Sequence, residues 1–239
     1  MVTTSLENAA VVIIGGSSGI GLATAKIAHD AGAQVTIAGR SPDRLTAARD
    51  EIGGDIRTVA LDIADEDAVR ALFDSLESVD HVVNLAGTFA FGALLTTDIA
   101  ALRSPVDTRF WGPVYVCKYA APRMTTGSLT FCTGTGVDRP RPGGAVFSAA
   151  AGGSEVFSRA MALELAPIRV NVVRPGTIDT PLFARSNEDR ERAIAERSAR
   201  IPLRRIGRAE EIAHAIHFLM TNEYVTGVTL PVDGGASLT

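Results

Sequence analysis

Apolar residues in this chain gather in short, near-continuous runs, separated by longer stretches with a helical pattern. The short runs lie at 10–15, 34–39, 56–60, 81–85, 127–132, 169–173 and 229–232 and predict strands. Helices are expected at 21–31, 44–51, 66–76, 106–121, 146–165 and 209–220. Strands that are apolar throughout, rather than alternating, belong to a parallel sheet with helices on both faces. The chain shows no repeat, linker or low-complexity stretch. The expected architecture is α/β, one doubly wound domain over 1–239 with a parallel sheet of about seven strands.

Composition narrows the classes. Hydrophobic residues make up 46% of the 239 and charged residues 21%, which excludes a disordered chain. A net charge of −4 gives no footprint for nucleic acid or an anionic membrane. The first eight residues are polar and unlike a signal peptide, and no apolar run reaches the ~20 residues of a membrane span. A cytoplasmic protein is expected. Cys117 and Cys132 are too few for a disulfide framework or a metal site and are expected as buried thiols; no metal is expected.

The first strand runs straight into Gly15-Gly16-Ser17-Ser18-Gly19-Ile20-Gly21, and a helix follows at once. Glycine permits the tight turn and lets the backbone approach a pyrophosphate, while the helix N-terminus offers free N–H groups to the negative charge. The same residues fit a nucleophile elbow, Gly15-x-Ser17-x-Gly19, with His214 or His217 as base. Such elbows follow several strands rather than the first, which disfavours a serine hydrolase. An NAD site carries an acid at the end of the second strand. Here that position reads Gly39-Arg40-Ser41, where a guanidinium can pair with a 2′-phosphate, so NADP(H) is preferred.

With these residues in view the chain resembles the short-chain dehydrogenase/reductases. The resemblance rests on Gly15 to Gly21, Asp62-Ile63, Asn84-Leu85-Ala86-Gly87, the run from Leu163 to Asn171, Arg174-Pro175-Gly176 and Val232-Asp233-Gly234-Gly235. It implies that Asp62 and Ile63 contact adenine and that Asn84, Ala86 and Gly87 line the cofactor cleft. It also implies that Pro175, Gly176, Ile178 and Thr180 hold the nicotinamide end, and that 181–205 forms a substrate lid. That segment alternates Arg and Glu/Asp, a pattern that also suits an exposed, salt-bridged helix. The resemblance further implies a homodimer or homotetramer, with the helices at 106–121 and 146–165 at one interface.

The family's active members use Asn, Ser, Tyr and Lys, and by the resemblance this chain carries Arg109, Gly134, Phe147 and Ala151 at those positions. Lys118 lies nine residues past Arg109, roughly 180° round a helix, and faces the wrong way. Tyr115 and Tyr119 are expected in the core or a subunit contact, and Arg139 and Arg141 in a solvated loop. A positioned proton donor is worth ~10²–10⁴ in rate. Its loss favours a pre-activated acceptor, such as an iminium, over an ordinary ketone. Phe147 keeps a ring without a hydroxyl, Ala151 vacates space, and Arg109 is longer than asparagine. The Arg109 guanidinium is therefore expected beside Ala151, in contact with the nicotinamide ribose. Two functions remain open: an NADP(H)-binding oxidoreductase with a non-standard active site, acting on a small carbonyl, imine or alcohol, and an inactive pseudoenzyme that binds NADP(H) as a sensor or scaffold subunit.

Overall fold

Val and Ile crowd the strands because every strand is buried on both faces. In β1 (Ala10–Ile14), Val12 and Ile14 enter one core and Val11 and Ile13 the other. The structure, a computed structural model, describes residues 5–181 and 187–239, without the side chains of 187–189. After β1 come α1 (Gly19–Asp30), β2 (Gln34–Gly39), α2 (Pro42–Ile52), β3 (Arg57–Ala60), α3 (Glu66–Asp74) and β4 (His81–Asn84). Then follow α4 (Ile99–Val106), a π-helical segment (Asp107–Trp111), α5 (Gly112–Ala120), β5 (Ser128–Cys132), α6 (Ala145–Glu164) and β6 (Arg169–Pro175). The chain closes with β7 (Ile178–Asp179), α7 (Asn187–Arg200), β8 (Gly207–Arg208), α8 (Ala209–Thr221) and β9 (Thr229–Val232).

The seven-stranded sheet has the order β3-β2-β1-β4-β5-β6-β9, and every pair is parallel. One face packs on α3, α5 and α6, with Phe73 and Phe131 as large buried side chains. The other packs on α1, α2 and α8 through Ile13, Ile37, Ile212 and Ile216. Side chains close several helix N-termini as the sequence implies. Ser41 accepts from Arg44 N at 3.4 Å, and Asp65 from Ala68 N at 3.1 Å.

Two motif residues prove structural. The Arg169 guanidinium donates to the last carbonyls of α8, Leu219 and Met220, both at 2.6 Å, and so closes that helix. Asn171 holds the following loop by donating to Val225 O at 2.9 Å and accepting from Val228 N at 3.2 Å.

The helix expected at 106–121 is instead three segments, beginning earlier, at Ile99. Pro105 and Pro113 flank the π segment, and each lacks the N–H of an i→i−4 bond. Gly112 N donates five residues back, to Asp107 O. The Thr108 hydroxyl accepts from Thr88 N at 2.9 Å and donates to Ser104 O at 3.0 Å, which pins the widened turn to the loop after β4. His81 opens β4 and is buried, with Nδ1 2.8 Å from Ser128 Oγ.

Two outcomes follow from this packing. A Cβ on Gly21 would sit 2.0 Å from Gly15 O, so Gly21→Ala should lower unfolding stability by about 1–3 kcal/mol in urea titrations. Burial, and then the Arg169 guanidinium, push the His81 imidazole from 6.5 down to about 4. The unfolded chain takes up a proton near pH 6.5 that the fold refuses, so this contribution is complete above pH 6.5. It is lost as pH falls toward 4, at about 1.4 kcal/mol per unit. Urea midpoints of wild type and His81→Gln should therefore converge between pH 7 and pH 4.

Candidate functional site

The strand order reverses between β1 and β4, and in open α/β sheets the crevice at the carboxyl ends of such strands receives ligands. Gly15 turns with φ +90°, and a Cβ there would lie 2.9 Å from Ala86 N, so the turn after β1 sits directly on the loop after β4. Ser18 is the N-cap of α1 and its side chain makes no capping bond. Ser17 Oγ lies 3.7 Å from where a Cβ on Gly39 would stand, beside the end of β2. Ile20 begins the first turn of α1, and its carbonyl accepts from Thr24 Oγ1 at 2.8 Å.

The remaining expected contacts ring this crevice. Arg40 is exposed at the end of β2, and Ser41 caps α2. Asp62 is exposed and accepts from Ala64 N at 3.0 Å. Ile63 turns its side chain into the core, so its backbone is what it can offer a purine. Asn84 is buried and accepts from Ala86 N at 3.1 Å, which fixes the path into Gly87. Across the crevice, the Thr180 methyl lies 3.2 Å from the Cβ position of Gly19. Pro175 and Ile178 are buried, and Gly176 is pressed against Asp233, where a Cβ would meet Cα at 2.7 Å. The lid segment falls partly on 182–186, outside the described residues. Within its described part, Arg205 pairs with Glu211 on α8 at 2.6 Å.

The wall beyond Gly87 is unusual. Arg109 leaves the π segment and is only 6% exposed. Its Nε donates to Thr88 O at 3.0 Å and its Nη2 to Gly87 O at 3.4 Å. The guanidinium carbon stands 4.1 Å from the Phe89 ring centre and 4.7 Å from that of Phe147. Among the described residues no carboxylate lies within ion-pair distance of it. Burial brings it down to about 10. The group stops over Phe147, one helical turn before Ala151, which is fully buried. Phe147 in turn stacks on Phe89 at 5.2 Å and meets Phe91 in a tilted pair at 5.1 Å. Gly134 faces open space, its nearest neighbour being Pro175 O at 4.0 Å from a Cβ.

Under this wall lies a buried ionic knot. Arg174 donates through Nε and Nη2 to both oxygens of Glu155, at 2.9 and 2.5 Å, and reaches Asp138 with Nη1. Thr133 Oγ1 donates to Glu155 at 2.7 Å. The Glu155 hydrogen bond raises the Arg174 guanidinium above its ordinary value. Cys132, beside Thr133, is a free thiol pushed up to about 11 by burial, so it is inert.

Other candidates stand aside. Lys118 and Tyr119 meet at Glu66, at 2.9 and 2.5 Å, on the far side of α5. Arg139 is tied to Ser237 O, and His214 is exposed on α8. Phe89, Phe91 and Glu155 were not anticipated. Glu155 could have been found: it lies eight residues past Phe147 and four past Ala151, on the same helical face.

The crevice and its glycine turn define a dinucleotide-binding α/β protein. A family model described as Enoyl-(Acyl carrier protein) reductase matches residues 15–237. The short-chain dehydrogenase/reductase ATR9 of Stachybotrys chlorohalonatus is 34% identical, over 98% of this chain and 99% of that protein. The 3-oxoacyl-[acyl-carrier-protein] reductase of Homo sapiens is 35% identical, over 95% and 97%. A small-chain dehydrogenase solved in complex with NADPH superposes with a TM-score of 0.83 at 28% identity, over 98% of this chain and 100% of that one. The chain belongs to the short-chain dehydrogenase/reductase superfamily and is an oxidoreductase of that type.

Without Glu155 the Arg174 guanidinium keeps only Asp138 as a carboxylate partner, so Glu155→Ala should cost about 1–3 kcal/mol in chemical denaturation, and the double replacement Glu155→Leu with Arg174→Met should recover much of it.

Proposed function

We propose that the protein is an NADP(H)-dependent oxidoreductase of small carbonyl compounds, with a non-standard active site in which Arg109 replaces the usual hydrogen-bond donors. The observation that carries it is the cradle itself. The turn folds so tightly that Cβ atoms on Gly15 and Gly21 would strike the backbone of Ala86 and Gly15 at 2.9 and 2.0 Å, and Ser18 makes no capping bond, so the first N–H groups of α1 stay free for an anion.

The residues fit the nucleotide. Gly15, Ser17, Ser18, Gly19, Ile20 and Gly21 present the start of α1 to the pyrophosphate. Arg40 and Ser41 take the 2′-phosphate, and no acid stands there to favour NAD. Asp62 and Ile63 border adenine, Asn84, Ala86 and Gly87 form the inner wall, and Pro175, Gly176, Ile178 and Thr180 the nicotinamide end. When bound, the nucleotide would supply hydride to the acceptor carbon, and the resulting alkoxide would take its proton from solvent water. Phe147, Ala151 and Gly134 offer no proton and no side-chain donor to it. Arg109 retains N–H groups beyond the two that bond Thr88 and Gly87. Directed at an acceptor oxygen, such a donor stabilises developing negative charge, an effect worth ~10²–10³ in rate. The NADPH-bound relative supports the choice of nucleotide.

A pseudoenzyme that binds NADP(H) as a sensor or scaffold subunit is the second reading, favoured by the packing of Phe147 against Phe89 and Phe91. Trp111, Val156 and Leu163 are exposed on the helices expected at a subunit interface, which supports a homo-oligomer. No helix among the described residues is long and apolar enough to cross a membrane.

Titration against NADPH and NADH by nucleotide fluorescence tests the proposal. NADPH should bind the more tightly, and Arg40→Ala should weaken it about 10-fold to 100-fold while leaving NADH unaffected. Equal affinities would overturn the nucleotide assignment; turnover of NADPH with a carbonyl panel would separate the enzyme from the pseudoenzyme.

A further inference from the structure

Arg109 presents a problem that the packing around it does not solve. A guanidinium carries a full charge and five N–H donors. This one is 6% exposed, bonds only two backbone carbonyls, and has no carboxylate partner among the described residues. The rings of Phe89 and Phe147 lie side by side against it, which helps a cation but leaves its charge uncancelled. Buried charges in proteins are generally paired. The nearest candidate, Glu155, is committed to Arg174 and Thr133. Nη1 has no acceptor among the described residues and is not sealed from solvent, so it is the end of the group that a ligand can reach.

We infer that Arg109 is an anion-recognition residue, and that the substrate carries a carboxylate on an apolar or aromatic body. This rests on the oxidoreductase reading for calling the ligand a substrate. A planar carboxylate matches the fork of the guanidinium and supplies the missing charge. The body of the ligand meets Phe89 and Phe91, which remain 47% and 57% exposed beside it. An acceptor whose only charge is positive fits this site less well, because it would bring a second cation to Arg109 without the carboxylate that offsets it.

Benzoate and benzamide, equal in shape and different in charge, are the probes. Calorimetric titrations would be run on the full chain, both nucleotide-free and loaded with NADP⁺, with loading measured separately. Wild type should bind benzoate about 10-fold to 100-fold more tightly than benzamide. Arg109→Gln should abolish that preference and Arg109→Lys should keep most of it, thermal melting confirming that each variant is folded. Equal binding of the two probes by wild type, or a preference that survives Arg109→Gln, overturns the inference. Nucleotide binding without benzoate preference removes the inference and spares the oxidoreductase reading. Benzoate preference without nucleotide binding retains the anion site and removes that reading.

Discussion

The bidentate bond between Arg174 and Glu155 is the interaction on which the cleft depends. Arg174 ends β6, Glu155 lies mid-way along α6, and Thr133 follows β5, so one carboxylate fastens three walls together. Without it the helix carrying Phe147 and Ala151 would be held to the sheet by non-directional apolar contacts alone. Directional bonds fix register where apolar packing tolerates sliding. The knot lies one turn beyond Ala151, so the position of everything the helix presents to the crevice follows from it.

The glycine cradle is the complementary constraint. Its geometry is set by what is missing: a methyl group on Gly15 or Gly21 would collide with backbone. The two features divide the work. One folds the turn after β1 tightly onto the loop after β4, and the other ties the opposite wall to the sheet.

Much of this was legible in the sequence, for reasons that can be stated residue by residue. Strands were visible because a parallel sheet buries both faces and so writes unbroken Val and Ile runs. The turn at Gly15–Gly21 was visible because its constraint is local, confined to seven consecutive residues. Arg109 was recognised as out of place and was expected beside Ala151 against the nicotinamide ribose; its stopping point over Phe147 was not foreseen. That point is set by Phe89 and the carbonyls of Thr88 and Gly87, which reach it from the loop after β4, some twenty residues away in the chain. Contacts of that kind leave no period in the sequence. The broken helix was missed because Val106 to Ala121 carries a continuous apolar pattern, while Pro105 and Pro113 act on hydrogen bonds rather than on polarity.

The π-helical segment at Asp107–Trp111 has a consequence for the history of the site. A turn closed five residues back holds one residue more than an α-helical turn, and every side chain beyond it is rotated relative to those before it. Angular bookkeeping from Arg109 to Tyr115 or Lys118 along an ideal helix therefore starts from the wrong origin. More than that, the wide turn behaves as a one-residue insertion that the fold has absorbed without moving α5 off the sheet. A single deletion there would restore regular winding and swing position 109 around the helix. The direction in which this cation points is thus governed by chain length as much as by residue identity, and a change in one codon count could redirect it without altering any side chain.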